Sequence, residues 1–266
     1  MIDITLSFEP PFARIVLNRP ERRNAISRAM WRALPAIRAE IEARADALVV
    51  LVEGAGGHFS AGADISEFDV VYKDAAAARD YGDAIQDGLR ALCDIDRPTI
   101  AIMQGVVVGG GIAVALACDL RFCDADAHLA ITPAKLGLVY GHAETRRLVD
   151  LVGAARAKDL LFTGRRIETE EALAIGLIDR RIETALRETA LGYARGLADL
   201  SQTSIRSAKR AIDAIAGGLT VETPSFRALI EAAALGPDFA EGRAAFAQRR
   251  PARFEARGAT PVVGRT

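Results

Sequence analysis

Long apolar runs, paired cysteines, aromatic residues and an excess of either charge are all scarce in this chain of 266 residues, and each scarcity removes a class of answer. No apolar stretch reaches the ~18 uncharged residues of a membrane helix; the richest, Val106 to Ala117, is shorter and carries three glycines. The three cysteines, Cys93, Cys118 and Cys123, are odd in number and form no Cys-x-x-Cys pair. They read as small buried hydrophobes in a reducing compartment, with neither a disulfide framework nor a metal site expected. Lys and Arg number 34 against 35 Asp and Glu, interspersed to a net charge of −1, so no basic run exists to displace counterions from a nucleic acid. Only 6% of residues are aromatic while half are apolar, and that aliphatic bias favours packed helices over a surface on which bases stack. The opening, Met1 to Pro10, alternates apolar and polar residues, whereas a signal peptide needs a basic flank and then an apolar run. A soluble cytoplasmic protein with no nucleic-acid or membrane partner is expected.

What is present is a regular alternation of elements. Ile2, Ile4, Leu6 and Phe8 alternate with polar residues and predict a strand; Phe12 to Leu17 predicts a second, stopped by Asn18-Arg19-Pro20. Ser27 caps a helix with Met30, Leu34, Ile37 and Ile41 on one face, and Pro35 within it predicts a kink or a broken first half. Leu48 to Val52 reads as a strand buried on both faces. A Gly-rich loop from Glu53 to Asp64 follows, then a helix over 74–92 with Tyr81, Ile85, Leu89 and Leu92 on one side. Thr99 to Met103 is the next strand, and Gly109-Gly110-Gly111 opens a helix ending near Cys118. Asp119 to Cys123 and Leu129 to Ile131 are short strands; beyond about Thr145 the chain reads as mostly helical. A helix starts at Thr169, and Thr223-Pro224 is a cap with proline at the first helical position. Repeated β–α units followed by a helical tail argue for an α/β core with a helical C-terminal segment. The arginine-rich end, Arg249 to Arg265, reads as a solvated terminus, with a partner-binding tail as the alternative.

Chemistry is suggested by two Gly-rich segments, each following a strand: Phe59 to Ile65, and Gly105 to Ala113, which begins a helix. A helix N-terminus leaves unpaired N–H groups, and glycine lets a ligand approach the backbone closely. Two such sites brought together would hold an oxyanion from two directions. A glycine triplet also serves plain helix packing. The spacing is G-x-x-x-G-G-G, which is not the G-x-G-x-x-G of dinucleotide sites, and neither a Walker-type loop nor a G-x-S-x-G elbow is present.

Taken together these segments resemble the crotonase (enoyl-CoA hydratase/isomerase) superfamily. The central signature of that family is matched by Ile100 to Gly105, three residues, Gly109 to Gly111, and Leu116-Ala117-Cys118-Asp119-Leu120. Asn18 to Ile26 resembles its N-terminal CoA-contacting turn, and Phe59 to Ile65 its first oxyanion segment. Leu161 to Gly164, Glu171-Ala172 and Gly176 to Asp179 resemble the segment after the active site, and Phe239 to Phe246 with Arg250-Pro251 the C-terminal helix. The resemblance implies a fold of stacked β–β–α turns, a spiral occupying residues 1–200, and a helical oligomerisation segment over 201–266 that packs on a neighbouring subunit, in homotrimers or dimers of trimers. It implies an acyl-CoA thioester as substrate, with coenzyme A part of that substrate and no separate cofactor. The backbone N–H groups of Ala63 and Gly110 would form the oxyanion hole, and Arg23, Ala25, Ala61, Asp64 and Ile65 would contact CoA. For Arg23 alone a solvated surface charge is the alternative.

One departure bears on the reaction. Hydratases of this family hold water between two glutamates, and Ala113 and Pro133 stand at those places here. Neither moves a proton, which puts both two-carboxylate hydration and the family's one-carboxylate isomerisation in doubt. The replacements to consider are Tyr140, His142 and Glu144. Each also has a plainer role: a core ring, a surface residue and a first-turn helix acid favoured by the dipole. His58 suits the CoA entrance, and His128 and Lys135 look structural or solvent-facing. Thr132 to Tyr140 resembles a loop of methylmalonyl-CoA decarboxylases, in which a tyrosine works on the substrate carboxylate, although those enzymes carry histidine at the place of Ala63. The leading expectation is an enoyl-CoA hydratase/isomerase-type enzyme that passes through a thioester enolate. The alternatives are a decarboxylase using Tyr140 and a non-catalytic CoA-thioester-binding protein.

Overall fold

Alternation in the first two strands closes an antiparallel pair, β1 (Ile4–Glu9) and β2 (Phe12–Leu17), with Ile4 opposite Leu17. The computed structural model describes residues 3–255, so Ile2, the first residue of the expected strand, and the end of the arginine-rich tail lie outside the described residues. Helix α1 (Arg28–Glu42) is capped by Ser27, whose hydroxyl accepts from the Met30 N–H. The expected break at Pro35 does not occur, and α1 runs through it. Proline removes only the donor that would have met the Trp31 carbonyl. A second helix approaches at that carbonyl through Gly88, where a Cβ would stand 2.8 Å from Trp31 O.

After β3 (Val49–Gly54) come a short α2 (Phe68–Val71) and the long α3 (Ala75–Cys93), then β4 (Thr99–Met103), β5 (Val106–Val108) and α4 (Gly110–Leu116). The next turn is β6 (Leu120–Asp124), β7 (His128–Ala130), α5 (Pro133–Leu136), α6 (His142–Val152) and α7 (Ala154–Thr163). Then follow β8 (Arg166–Ile167), α8 (Thr169–Ala174), β9 (Arg180–Ile182) and α9 (Leu186–Ala198). Helices α10 (Gln202–Ala216), α11 (Pro224–Ala234) and α12 (Pro237–Gln248) end the described chain, with Thr223 capping α11 as expected.

One sheet runs β1-β2-β3-β4-β6-β9, parallel from β2 onward. Its central strands are covered on both faces, which explains their unbroken apolar runs. Val50, Val52, Ala101 and Met103 face a core shared with α1, α3 and α4, while Val49, Leu51, Ile100 and Ile102 face Leu186, Ala190 and Ala194 of α9. A smaller sheet, β5-β7-β8, stands beside it. The chain thus repeats one unit: a strand in the large sheet, extended chain in or against the small one, then helix. The repeat includes the Gly-rich segment after β3, where Ser60 bridges to Val107. That bridge positions the site. Among the described residues no helix is long and apolar enough to cross a membrane. The thiols of Cys118 and Cys123 are buried, and burial pushes each up to about 12.

Candidate active site

The two Gly-rich segments are laid side by side by backbone hydrogen bonds. Phe59 N–H donates to Gln104 O (2.8 Å), Ser60 N–H to Val106 O (3.0 Å) and Val108 N–H to Ser60 O (2.9 Å). On its other edge the first segment meets the turn before α1: Ile26 N–H donates to Gly62 O (2.7 Å) and Asp64 N–H to Ile26 O (3.0 Å). In a parallel bridge of this kind the flanking residues 62 and 64 make the bonds, so the N–H of Ala63 between them turns the other way. Gly110 is the first residue of α4, where an N–H has no carbonyl one turn earlier in the helix. Among the described residues neither the Ala63 nor the Gly110 N–H donates a hydrogen bond within the chain. The two lie together, since a Cβ built on Gly110 would be 3.3 Å from the Ala63 nitrogen.

Each glycine here has its own reason. Gly62 has φ +101° and its Cβ position lies 2.9 Å from Val108 O; Gly111 lets α4 close on Ser60, whose carbonyl oxygen is 2.6 Å from where a Cβ would sit. Side chains there would push the segments apart.

Of the residues expected around CoA, Arg23, Ala25, Ala61 and Ile65 lie on the turn and segment beside this pair. Ala61 N–H donates to Arg23 O (2.8 Å), and Arg23 has φ +49° with an exposed side chain. Ala25 is half-buried, and its carbonyl accepts from Arg19 Nη1 (2.8 Å). Ile65 is 63% exposed, a large apolar side chain set in solvent next to the site. Asp64, by contrast, turns inward: its carboxylate meets Arg19 at 2.7 Å and accepts from Ser66. Burial pushes its pKa up, but the Ser66 hydrogen bonds and the Arg19 guanidinium outweigh that and hold it below the usual carboxylate range. Asn24, fully buried, binds the turn to the loop after β3 through Ala55 O (2.8 Å) and His58 O (2.6 Å). Sequence reading passed over it, although its place in the tight Arg23-Asn24-Ala25 turn was the available signal. His58 Nδ1 accepts from Val106 N–H (3.2 Å), which ties its imidazole into the fold.

Of the three acid–base candidates, His142 is exposed, Tyr140 is half-buried and Glu144 is buried at 5% exposure. Tyr140 Oη lies 3.4 Å from Gly109 O, next to Gly110. Burial first, and the Glu144 charge second, push the Tyr140 phenol well above its ordinary range, so it keeps its proton. Glu144 is in the first turn of α6, and its carboxylate folds back over Gly141, where a Cβ would come within 2.7 Å of both oxygens. One of those oxygens accepts from Gln86 Nε2 of α3 (2.9 Å). No local pattern links residues 86 and 144, and sequence reading missed Gln86. Ala113 is buried within α4 and Pro133 opens α5, so neither place holds an ionisable group. Trp31, also missed, backs the site with its indole edge 3.4 Å from the Cβ position of Gly110.

The family model described as enoyl-CoA hydratase/isomerase matches residues 8–257. The short-chain-enoyl-CoA hydratase of Clostridium acetobutylicum is 32% identical over 213 residues, covering 79% of this chain and 81% of that protein. Among solved structures, a protein of Hyphomonas neptunium, described as of the enoyl-CoA hydratase/isomerase family, is 44% identical with a TM-score of 0.93 over 96% of this chain and 98% of that one. An enoyl-CoA hydratase of Bacillus anthracis is 30% identical with a TM-score of 0.87, over 96% and 100% of the two chains.

Proposed function

Because the chain belongs to the enoyl-CoA hydratase/isomerase family, we propose that it transfers a proton at the α-carbon of an acyl-CoA, with the N–H groups of Ala63 and Gly110 holding the thioester oxygen. The observation that carries this reading is the pair of free N–H groups on adjoining segments. As the α-C–H bond breaks, its electron pair forms the C=C of the enolate and the charge moves to the oxygen. Two preorganised donors stabilise that charge, and removing one such donor typically costs ~3 kcal/mol. The proton goes to Glu144, the buried carboxylate beside Tyr140, and returns to carbon in the reverse step. A single carboxylate suits double-bond migration better than hydration, which in this family uses two. Arg23, Ala25, Ala61 and Ile65 form the rim on which CoA rests, Asp64 acting through Arg19 and Ser66. A trimer, or a dimer of trimers, would cover the exposed apolar side chains Leu235 and Phe246.

A second reading, decarboxylation, has its own support in Tyr140, a protonated phenol next to Gly109 that would donate to the enolate left by loss of CO₂. The experiment is incubation with crotonyl-CoA, a 3-enoyl-CoA and methylmalonyl-CoA, followed by absorbance and mass. Conversion of the 3-enoyl-CoA, lost in Glu144→Gln, is the expected result. Release of CO₂ from methylmalonyl-CoA, lost in Tyr140→Phe, would replace it with the second reading. Tight CoA binding with turnover of none of the three would make the chain a binding protein.

A further inference from the structure

Buried carboxylates without a counter-ion are costly, and proteins that keep one supply hydrogen bonds to it. Glu144 is such a case: it is 5% exposed, and among the described residues no Lys, Arg or His forms an ion pair with it. Among the described residues its one side-chain donor is Gln86 Nε2, at 2.9 Å, brought from α3. That contact uses Oε2, and among the described residues no donor meets Oε1. Gly141 supplies the space, because any side chain there would collide with the carboxylate.

We infer that Gln86 is the positioning residue for the acid–base chemistry, fixing the orientation of the Glu144 carboxylate. This rests on the proton-transfer role of Glu144 proposed above. An amide has no charge to lose and donates through Nε2 at every working pH. The surroundings are simple. Tyr140 faces Glu144 from the preceding loop, and α4, packed on α6, carries no titratable residue. On α3 the neighbouring Asp83 and Asp87 are exposed. On α6 itself His142 is exposed, Arg146 pairs with Asp150, and Arg147 is half-buried.

The test is exchange of the α-protons of butyryl-CoA in D₂O, read by mass across pH, in the wild type, Gln86→Met and Glu144→Gln. Acetoacetyl-CoA is the control, since it ionises without help and the absorbance of its bound enolate reports the backbone N–H pair alone. The expected result is that Gln86→Met binds the acetoacetyl-CoA enolate normally and exchanges on the order of 10-fold more slowly at unchanged KM. If Gln86→Met gives the wild-type profile while Glu144→Gln is inactive, the positioning role is wrong and the acid–base role of Glu144 stands. If Glu144→Gln exchanges like the wild type, both fall. Should Gln86→Met lose enolate binding through misfolding, Gln86→Asn, polar but too short to reach Glu144, is put to the same reading.

Discussion

A methyl group on Gly110 would stand 3.3 Å from the amide nitrogen of Ala63, beside two N–H donors that have no partner among the described residues. The backbone of Gly110 is ordinary helix, so alanine is tolerated conformationally while it crowds that space. Gly110→Ala is expected to slow α-proton exchange on the order of 100-fold, the usual effect of losing an oxyanion donor, with little change in thermal stability. Gly111→Ala makes the contrast, because its methyl would meet Ser60 O at 2.6 Å. That variant should lose about 1–3 kcal/mol of stability in urea unfolding through overpacking. Equal activity in Gly110→Ala and the wild type would remove the basis for an oxyanion hole here.

How much of this was legible in sequence depends on the range of the forces involved. The strand Phe12–Leu17 and the helix Ala75–Cys93 follow from periodicity and stand where it placed them. The three-residue β5 reads in sequence as part of the Gly-rich segment Gly105 to Ala113, since only its pairing with His128–Ala130 makes it a strand. Pro35 was a sound local warning, overruled because helix packing absorbs one lost hydrogen bond. The convergence of Ala63 and Gly110 could be expected only from resemblance, because it depends on the Ser60–Val107 bridge between segments far apart in sequence. Gln86 and Glu144, 58 residues apart, carry no shared pattern at all.

Asp64 ties the rim of the site to Arg19, and that tie has a pH signature. Its folded-state pKa lies below the ordinary value of 3.8. A depressed carboxyl contributes stability that is present above its unfolded pKa and lost as pH falls through the folded one. Asp64→Asn should therefore lower stability by about 1–3 kcal/mol at neutral pH, because the mostly buried Arg19 keeps only its longer ion pair with Asp3, at 3.5 Å. The gap in Tm between variant and wild type should narrow as pH drops below about 4. A gap that stays constant down to acid pH would show that the pair is not the source of the stability.

Among the described residues the buried Tyr81 hydroxyl faces only the Trp31 indole Nε1, in a contact that falls short of hydrogen-bond geometry. Its ring packs edge-on against Tyr72 with centroids 5.6 Å apart, and that contact survives loss of the oxygen. An unsatisfied buried polar group costs about 1–3 kcal/mol. Tyr81→Phe should consequently leave Tm unchanged or raise it, in contrast to most core substitutions. A fall of several degrees in calorimetry would mean that the hydroxyl has a partner in solution.

Asp96 stands between two buried guanidinium groups, bonding Arg97 at 2.5 Å and facing Arg206 of α10 at 3.6 Å. Arg97 is otherwise satisfied by the carbonyls of Ala47 and Arg44, whereas Nε and Nη2 of Arg206 have no hydrogen-bond partner among the described residues. Burial pushes the Arg206 pKa down, with the Asp96 charge opposing it. Asp96→Asn strands both cations and should cost about 3–5 kcal/mol. Arg206→Met keeps the Asp96–Arg97 pair, deletes the under-bonded cation and fills much of its volume, so it should be close to neutral. Urea unfolding of the two variants decides the matter. If Arg206→Met proved as damaging as Asp96→Asn, the Arg206 charge itself would be what holds α10 to the core.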